Sequence, residues 1–204
     1  MLRLHDHLAS GNGYKVRLLL AQLGTPFERI EYDLVNGETR TEAFVRDVNP
    51  NGRIPVLELD DGRTLAESNA ILWYLAEGTA YLPDEHFARG QTLQWMCFEQ
   101  YNHEPNIATV RFWTMHGQVD LSGWRTELVA DKRRQGHAAL AVMEEYLAGR
   151  AFFVAERYTI ADIALYAYTH VAPEGGFDLD PYPTVRAWLE RVASQPGHVP
   201  ISRG

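Results

Sequence analysis

The sequence holds one cysteine, Cys97, so it can form neither an internal disulfide nor a Cys-x-x-Cys redox pair. Such scarcity fits a reducing compartment. Basic residues are outnumbered, 19 Lys and Arg against 27 Asp and Glu, and the net charge of -8 disfavours the nucleic-acid backbone as principal partner. No apolar run approaches the length of a membrane helix, and the first residues lack the apolar core of a secretion signal. Repeats and low-complexity tracts are missing too. What these absences leave is a soluble, cytoplasmic protein. Its 204 residues, 46% of them hydrophobic, suffice for one large domain or two small ones.

The first third alternates short strand and helix signals. Residues 2–5 are a brief candidate strand, and Ala9-Ser10-Gly11-Asn12-Gly13 is a permissive loop. Val16, Leu19, Leu20 and Leu23 then recur at helical spacing over residues 14–23, and Gly24 and Pro26 stop that helix. Ile30, Tyr32 and Leu34 alternate as in a strand, whereas residues 36–48 are polar and only weakly helical. Residues 56–60 and 63–65 read as a hairpin about Asp61-Gly62. Glu67-Ser68-Asn69 opens a final helix that ends near Ala76, with Ser68 as its N-cap. This β-α-β-α-β-β-α order predicts a thioredoxin-like domain over residues 1–76. In that architecture the N-terminus of the first helix, the loop before Pro55 and the N-terminus of the last helix meet at one edge. Ser10, Ile54 and Ser68 would then be neighbours.

Residues 77–86 mix Gly, Pro and charge and form the expected linker; residues 87–204 read as an all-helical domain. Residues 87–115 form a long periodic helix that Pro105 should kink near His103-Glu104. A turn is expected at 118–121 and a helix at 126–147, where Lys132-Arg133-Arg134 reads as a solvated face. Thr159 and Asp162 have capping-box spacing before residues 163–168, and 183–194 form a last amphipathic helix. His5-Asp6-His7 and the Glu99/His103 pair carry metal-ligand residue types, but neither has a second ligand cluster, and no metal is expected.

Two features suit ligand chemistry. A cis Ile54-Pro55 bond at a strand entrance would turn backbone groups outward, and Ser68 puts a hydroxyl and helix N-terminal amides beside the Glu67 carboxylate, a combination suited to a zwitterion. Three stretches together, SGNGYKVRLLL from Ser10, NPNGRIPVLELDDG from Asn49 and ESNAILWYL from Glu67, resemble the cytosolic glutathione transferase family. The likeness extends over nearly the whole chain.

That resemblance implies glutathione as co-substrate, with Ile54 and Pro55 pairing with its cysteinyl part, Glu67 and Ser68 holding its γ-glutamyl end, and Arg53 adding charge for a carboxylate. Ser10 stands where the family carries its serine or cysteine, and Asn12 could donate its amide to the same sulfur; which donor dominates stays open. Both also have simpler roles, as a helix cap and a turn residue. For the second substrate, a small electrophile, the candidates are Tyr101, Asn102, His103, Arg111 and Trp113 of the helical region. Arg111 could instead pair with a nearby Glu to hold the fold. A homodimer follows from the resemblance alone. The expected activity is glutathione transfer. The alternatives are glutathione-dependent disulfide reduction or peroxide reduction, and a non-catalytic glutathione-binding protein of the same fold.

Overall fold

The computed structural model describes residues 1–117 and 124–203, so the turn expected at 118–121 lies outside the described residues. The chain forms two compact units, Met1–Thr79 with Gln195–Gly204, and Ala80–Ser194. The tail after Ser194, expected with the helical region, thus folds with the first unit.

The first unit is thioredoxin-like. Strand β1 (Leu2–Asp6) is followed by α1 (Gly11–Leu23), β2 (Phe27–Glu31), a 3-10 turn at Glu38–Arg40, α2 (Glu42–Asp47), β3 (Val56–Glu58), β4 (Thr64–Ala66) and α3 (Ser68–Ala76). The sheet order is β2-β1-β3-β4, with β1 and β2 parallel and the other pairs antiparallel. Leu4 sits opposite Leu57, and Leu57 opposite Leu65. Leu4 and Leu57 of the sheet pack with Val16 and Leu20 of α1 and Ile71 of α3 into one core. Alternate strand residues and i, i+4 helix residues supply that core.

Three local expectations need correction. Helix α1 begins at Gly11 rather than Tyr14, because Ser10 accepts the Gly13 N–H (3.2 Å) and so starts the helix within the glycine-rich loop. Strand β2 ends at Glu31, since the Asp33 carboxylate accepts the N–H groups of Val35 (2.9 Å) and Asn36 (3.0 Å) and turns the chain. At α3 the cap position is Glu67, with φ 70°, and Ser68 is the first helical residue. Its hydroxyl is engaged with α1 instead of with its own first turn.

In the second unit, α4 (His86–Phe98) passes through a π-helical turn at Glu99–His103 into α5 (Glu104–Met115). Pro105 has no N–H to continue an α-helical ladder, and the wider π turn accommodates the gap, with the Glu104 N–H reaching Glu99 O. Helices α6 (Trp124–Leu147), α7 (Ile160–Thr169) and α8 (Pro183–Ala193) complete the unit. The basic triplet on α6 is not a uniform solvated face. Lys132 Nζ donates to Pro105 O (2.7 Å) and Arg133 to Gly175 O (3.2 Å), while Arg134 is exposed and pairs with Asp131. Gly136 permits close packing on α6, since a Cβ there would lie 2.5 Å from the Phe177 ring.

The capping box is present and does more than cap. Asp162, fully buried, accepts from Thr159 N (2.9 Å) and Thr159 Oγ1 (3.2 Å), and also from Phe153 N (3.2 Å) and Trp188 Nε1 (2.9 Å). Burial pushes its carboxyl up to about 6, against the pull of these donors. A folded-state value above the unfolded one contributes stability that is complete below the unfolded value and is lost as pH rises through the folded value. Asp162→Asn should therefore be less stable than wild type by a margin that widens as pH falls from 7 to 4. Denaturant titrations across that range would measure it, and a narrowing margin would contradict the raised carboxyl.

Candidate functional site

The N-termini of α1 and α3 are brought together by side chains from both helices. Ser68 Oγ donates to Asn12 Oδ1 (3.3 Å), and Lys15 Nζ donates to Ser68 Oγ (3.3 Å). Ser68 and Lys15 are buried and Asn12 partly so. Each helix start also offers first-turn N–H groups, which lack intrahelical partners and favour anions. Glu67, exposed, makes no side-chain bond to the α3 N-terminus, so its carboxylate is not spent on capping. Hydroxyl, amide, ammonium and carboxylate thus gather at one edge of the first unit. That set matches a ligand end carrying both an amine and a carboxylate.

Ser10 is half-buried before α1. Its cap bond to Gly13 uses an oxygen lone pair and leaves the hydroxyl proton to donate. Capping and ligand donation are therefore compatible.

The Ile54-Pro55 peptide bond is cis. The loop before it is held by Asn49, which is buried and which sequence reasoning did not single out. Its Nδ2 donates to Arg53 O (2.8 Å) and its Oδ1 accepts the Asn51 N–H (3.0 Å). Arg53 is exposed, Ile54 partly buried and Pro55 buried. Lys15 was likewise missed, although a lysine inside YKVRLLL carried a signal: a charge within a run of core residues must find a polar partner.

Helix α1 is fixed from below by charge. Arg17 Nε pairs with Asp6 Oδ2 (2.9 Å), both side chains essentially buried. Burial pushes the Asp6 carboxyl above the usual range, with Arg17 opposing. Three further Arg17 donors go to Leu8 O (2.6 Å), Ile201 O (2.8 Å) and Arg203 O. Tyr14 donates to Val199 O (2.6 Å), so its oxygen is the acceptor toward His198 Nε2 (3.2 Å). Between α1 and this tail lies a cleft of about 420 Å³ lined by Arg17, Ala21, Phe27, Gly197, His198, Val199 and Arg203. None of the residues singled out in the sequence lines it.

The second-substrate candidates fall into two groups. Tyr101 and Asn102 are exposed and Trp113 half-buried. His103 is fully buried within the second unit, at 2.9 Å from Thr169 Oγ1. Thr169 gives its own proton to Leu165 O (2.7 Å), so His103 Nε2 is the donor. Arg111 is nearly buried and pairs with Glu174 (2.6 Å), the fold-holding alternative open to it in the sequence. Only Tyr101, Asn102 and Trp113 of the five present appreciable surface. Among the described residues no group of three or more His, Cys, Asp or Glu is assembled that could hold a metal, and no helix is long and apolar enough to cross a membrane.

Comparison with known proteins agrees with this geometry. The profile of the glutathione S-transferase N-terminal domain matches residues 9–77, and that of the C-terminal domain residues 107–196. A crystal structure of a glutathione S-transferase from Pseudomonas fluorescens is 50% identical, with a TM-score of 0.95 and 99% of both chains covered. The disulfide-bond oxidoreductase YfcG of Escherichia coli is 30% identical over 91% of this chain and 87% of its own. Ure2p, solved in complex with glutathione, is 26% identical with a TM-score of 0.85, over 96% of this chain and 95% of its own.

Gly13 is the steric condition for this edge. A Cβ there would stand 1.5 Å from Asp6 Oδ1, and Asp6 is held by Arg17. Helix propensity alone would favour alanine by about 1 kcal/mol. Gly13→Ala should nonetheless destabilise the protein by more than about 4 kcal/mol or prevent folding. Equilibrium unfolding would show it; a variant as stable as wild type would mean that Asp6 is not fixed.

Proposed function

As the chain belongs to the glutathione transferase family, we propose that it binds glutathione at the joined N-termini of α1 and α3 and uses it in group transfer to a small electrophile. The observation that carries this reading is the Ser68–Asn12 hydrogen bond, which links a γ-glutamyl subsite to a thiol subsite. Glutathione supplies the nucleophile, a cysteine thiolate. The residues supply its binding and its ionisation. The first-turn N–H groups of α3, with Ser68, receive the γ-glutamyl carboxylate, and Glu67 the amine. The backbone at Ile54 pairs with the cysteinyl unit, and Arg53 adds charge for a carboxylate. Asn12 and Ser10 donate to the sulfur.

A free thiol of pKa ~8.5 is mostly protonated at neutral pH, and lowering it by about two units takes about 2.7 kcal/mol of preferential thiolate stabilisation. One or two charge-assisted hydrogen bonds of about 1.5–3 kcal/mol each are enough. The exposed or half-exposed Tyr101, Asn102 and Trp113 are the proposed contacts for the electrophile. A homodimer and a cytoplasmic location complete the proposal.

A second reading, disulfide reduction, is favoured by the likeness to YfcG. Position 10 is serine and Cys97 lies on α4, so the sulfur chemistry would be carried by glutathione alone: two thiols reduce one disulfide and leave as oxidised glutathione.

The thiolate absorbance of bound glutathione, titrated against pH, tests activation. The bound thiol should ionise about two units below the free one. An unchanged value would reduce the protein to a glutathione binder. Asn12→Ala should lower kcat/KM for the preferred reaction by about 10- to 100-fold. Ser10→Ala should lower it too and cost about 1 kcal/mol of stability through the lost cap. Assays of conjugation and of disulfide reduction side by side would decide which reaction is preferred. If neither substitution slows either reaction, Ser10 and Asn12 are not the thiolate donors.

A further inference from the structure

Asn49 has no part in the reading above, yet it is buried and both ends of its side-chain amide meet backbone groups. Nδ2 donates to Arg53 O (2.8 Å), and Oδ1 accepts the Asn51 N–H (3.0 Å). We propose that Asn49 is a positioning residue: by holding the Arg53 carbonyl it orients the Ile54 N–H toward the cysteinyl unit of bound glutathione. The peptide joining Arg53 to Ile54 is trans, the cis bond being the one after it. In a trans peptide the C=O and N–H lie in one plane and point in opposite directions. A carbonyl tied to the buried Asn49 amide therefore sends the Ile54 N–H the other way. Pro55 has no N–H and β3 starts at Val56, so this N–H is the last donor ahead of the sheet ladder. Among the described residues it meets no acceptor.

The flip of the Asn49 amide is decided by groups whose roles cannot reverse. A backbone carbonyl only accepts and a backbone N–H only donates, so the opposite flip would set oxygen against oxygen at Arg53 and donor against donor at Asn51. The Asn49 backbone is anchored as well. Its N–H donates to Phe44 O of α2 (3.0 Å), and its C=O accepts the Gly52 N–H (2.8 Å). Phe44 is buried, edge-on to Tyr32 with ring centroids 4.9 Å apart. Gly52 has φ 62°, and a Cβ there would stand 2.9 Å from Arg40 Nη1 and 3.0 Å from Thr39 O. The turn is thus held on both sides of Asn49, and the side chain carries that constraint across to the 53–54 peptide. None of these contacts involves Ser10, Asn12 or Ser68. The cysteinyl backbone is positioned independently of the groups assigned to the sulfur and to the γ-glutamyl end.

This inference rests on the proposed glutathione site, and the test separates the two. Protein carrying isotope-labelled isoleucine is titrated with glutathione and followed by NMR, with the Ile54 amide peak identified through Ile54→Val. In wild type that amide proton should move downfield at saturation, as expected on gaining an acceptor. An unmoved peak refutes the site reading, and the positioning role with it. Asn49→Asp keeps an acceptor for the Asn51 N–H but sets a carboxylate oxygen against Arg53 O. Its dissociation constant for glutathione should rise about tenfold or more, and its Ile54 peak should no longer move downfield at saturation. Asn49→Ala, which adds no charge, should behave alike, and it carries the same comparison should Asn49→Asp not fold. Given a shifted wild-type peak, variants that bind glutathione as tightly as wild type would overturn the positioning role alone. So would variants that bind weakly while the Ile54 peak still moves, since the loss would then arise elsewhere in the loop.

Discussion

The buried pair between Asp6 and Arg17 is the constraint on which the proposed glutathione edge depends. Asp6 ends β1, and Arg17 sits in the middle of α1, so the pair sets how the helix lies against the sheet. Gly13 rests on the same carboxylate with no room for a methyl group. The helix start that carries Ser10 and Asn12 is thereby held against the end of β1. Two charges taken out of water are costly unless their remaining hydrogen-bonding capacity is used. Arg17 uses its own on Leu8, Ile201 and Arg203, which draws the loop before α1 and the tail into the same anchor.

Much of this was legible in the chain. Strand and helix order, Gly24 as a helix stop, the Pro105 interruption and the Thr159/Asp162 box all follow from local rules, and the structure contains them. The readings that failed have a common cause. Ser68 has the spacing of an N-cap, but its oxygen is claimed by Asn12 and Lys15, which lie more than 50 positions away. Lys132 and Arg133 read as solvent-facing because nothing near them in sequence predicts the carbonyls of Pro105 and Gly175. The tail was grouped with its helical neighbours, since only Tyr14 and Arg17, far earlier, explain where it goes. Local pattern predicts what a segment can form; it does not predict which distant polar group will claim a side chain.

The two buried basic residues of α1 illustrate different uses of charge. Arg17 is matched by a carboxylate and by carbonyls, and its work is structural. Lys15 donates to the hydroxyl of Ser68 at the start of another helix. Two positions apart on one helix, the two cations thus meet acceptors of different kinds in different parts of the first unit.

The anchoring of Tyr14 and Arg17 to Val199, Ile201 and Arg203 has a consequence for how the protein is made. The Arg17–Ile201 partners are separated by 184 positions, with the whole helical unit between them. Synthesis proceeds from the N-terminus, and nascent domains generally fold in that order. Here most of the first unit emerges early but lacks some of its hydrogen-bond partners until Val199, Ile201 and Arg203 have followed the helical unit out of the ribosome. During that interval the Arg17 guanidinium must keep water where the tail carbonyls will later stand. The sheet can form before the helical unit is made, and its anchoring by residues 199–203 comes only after it.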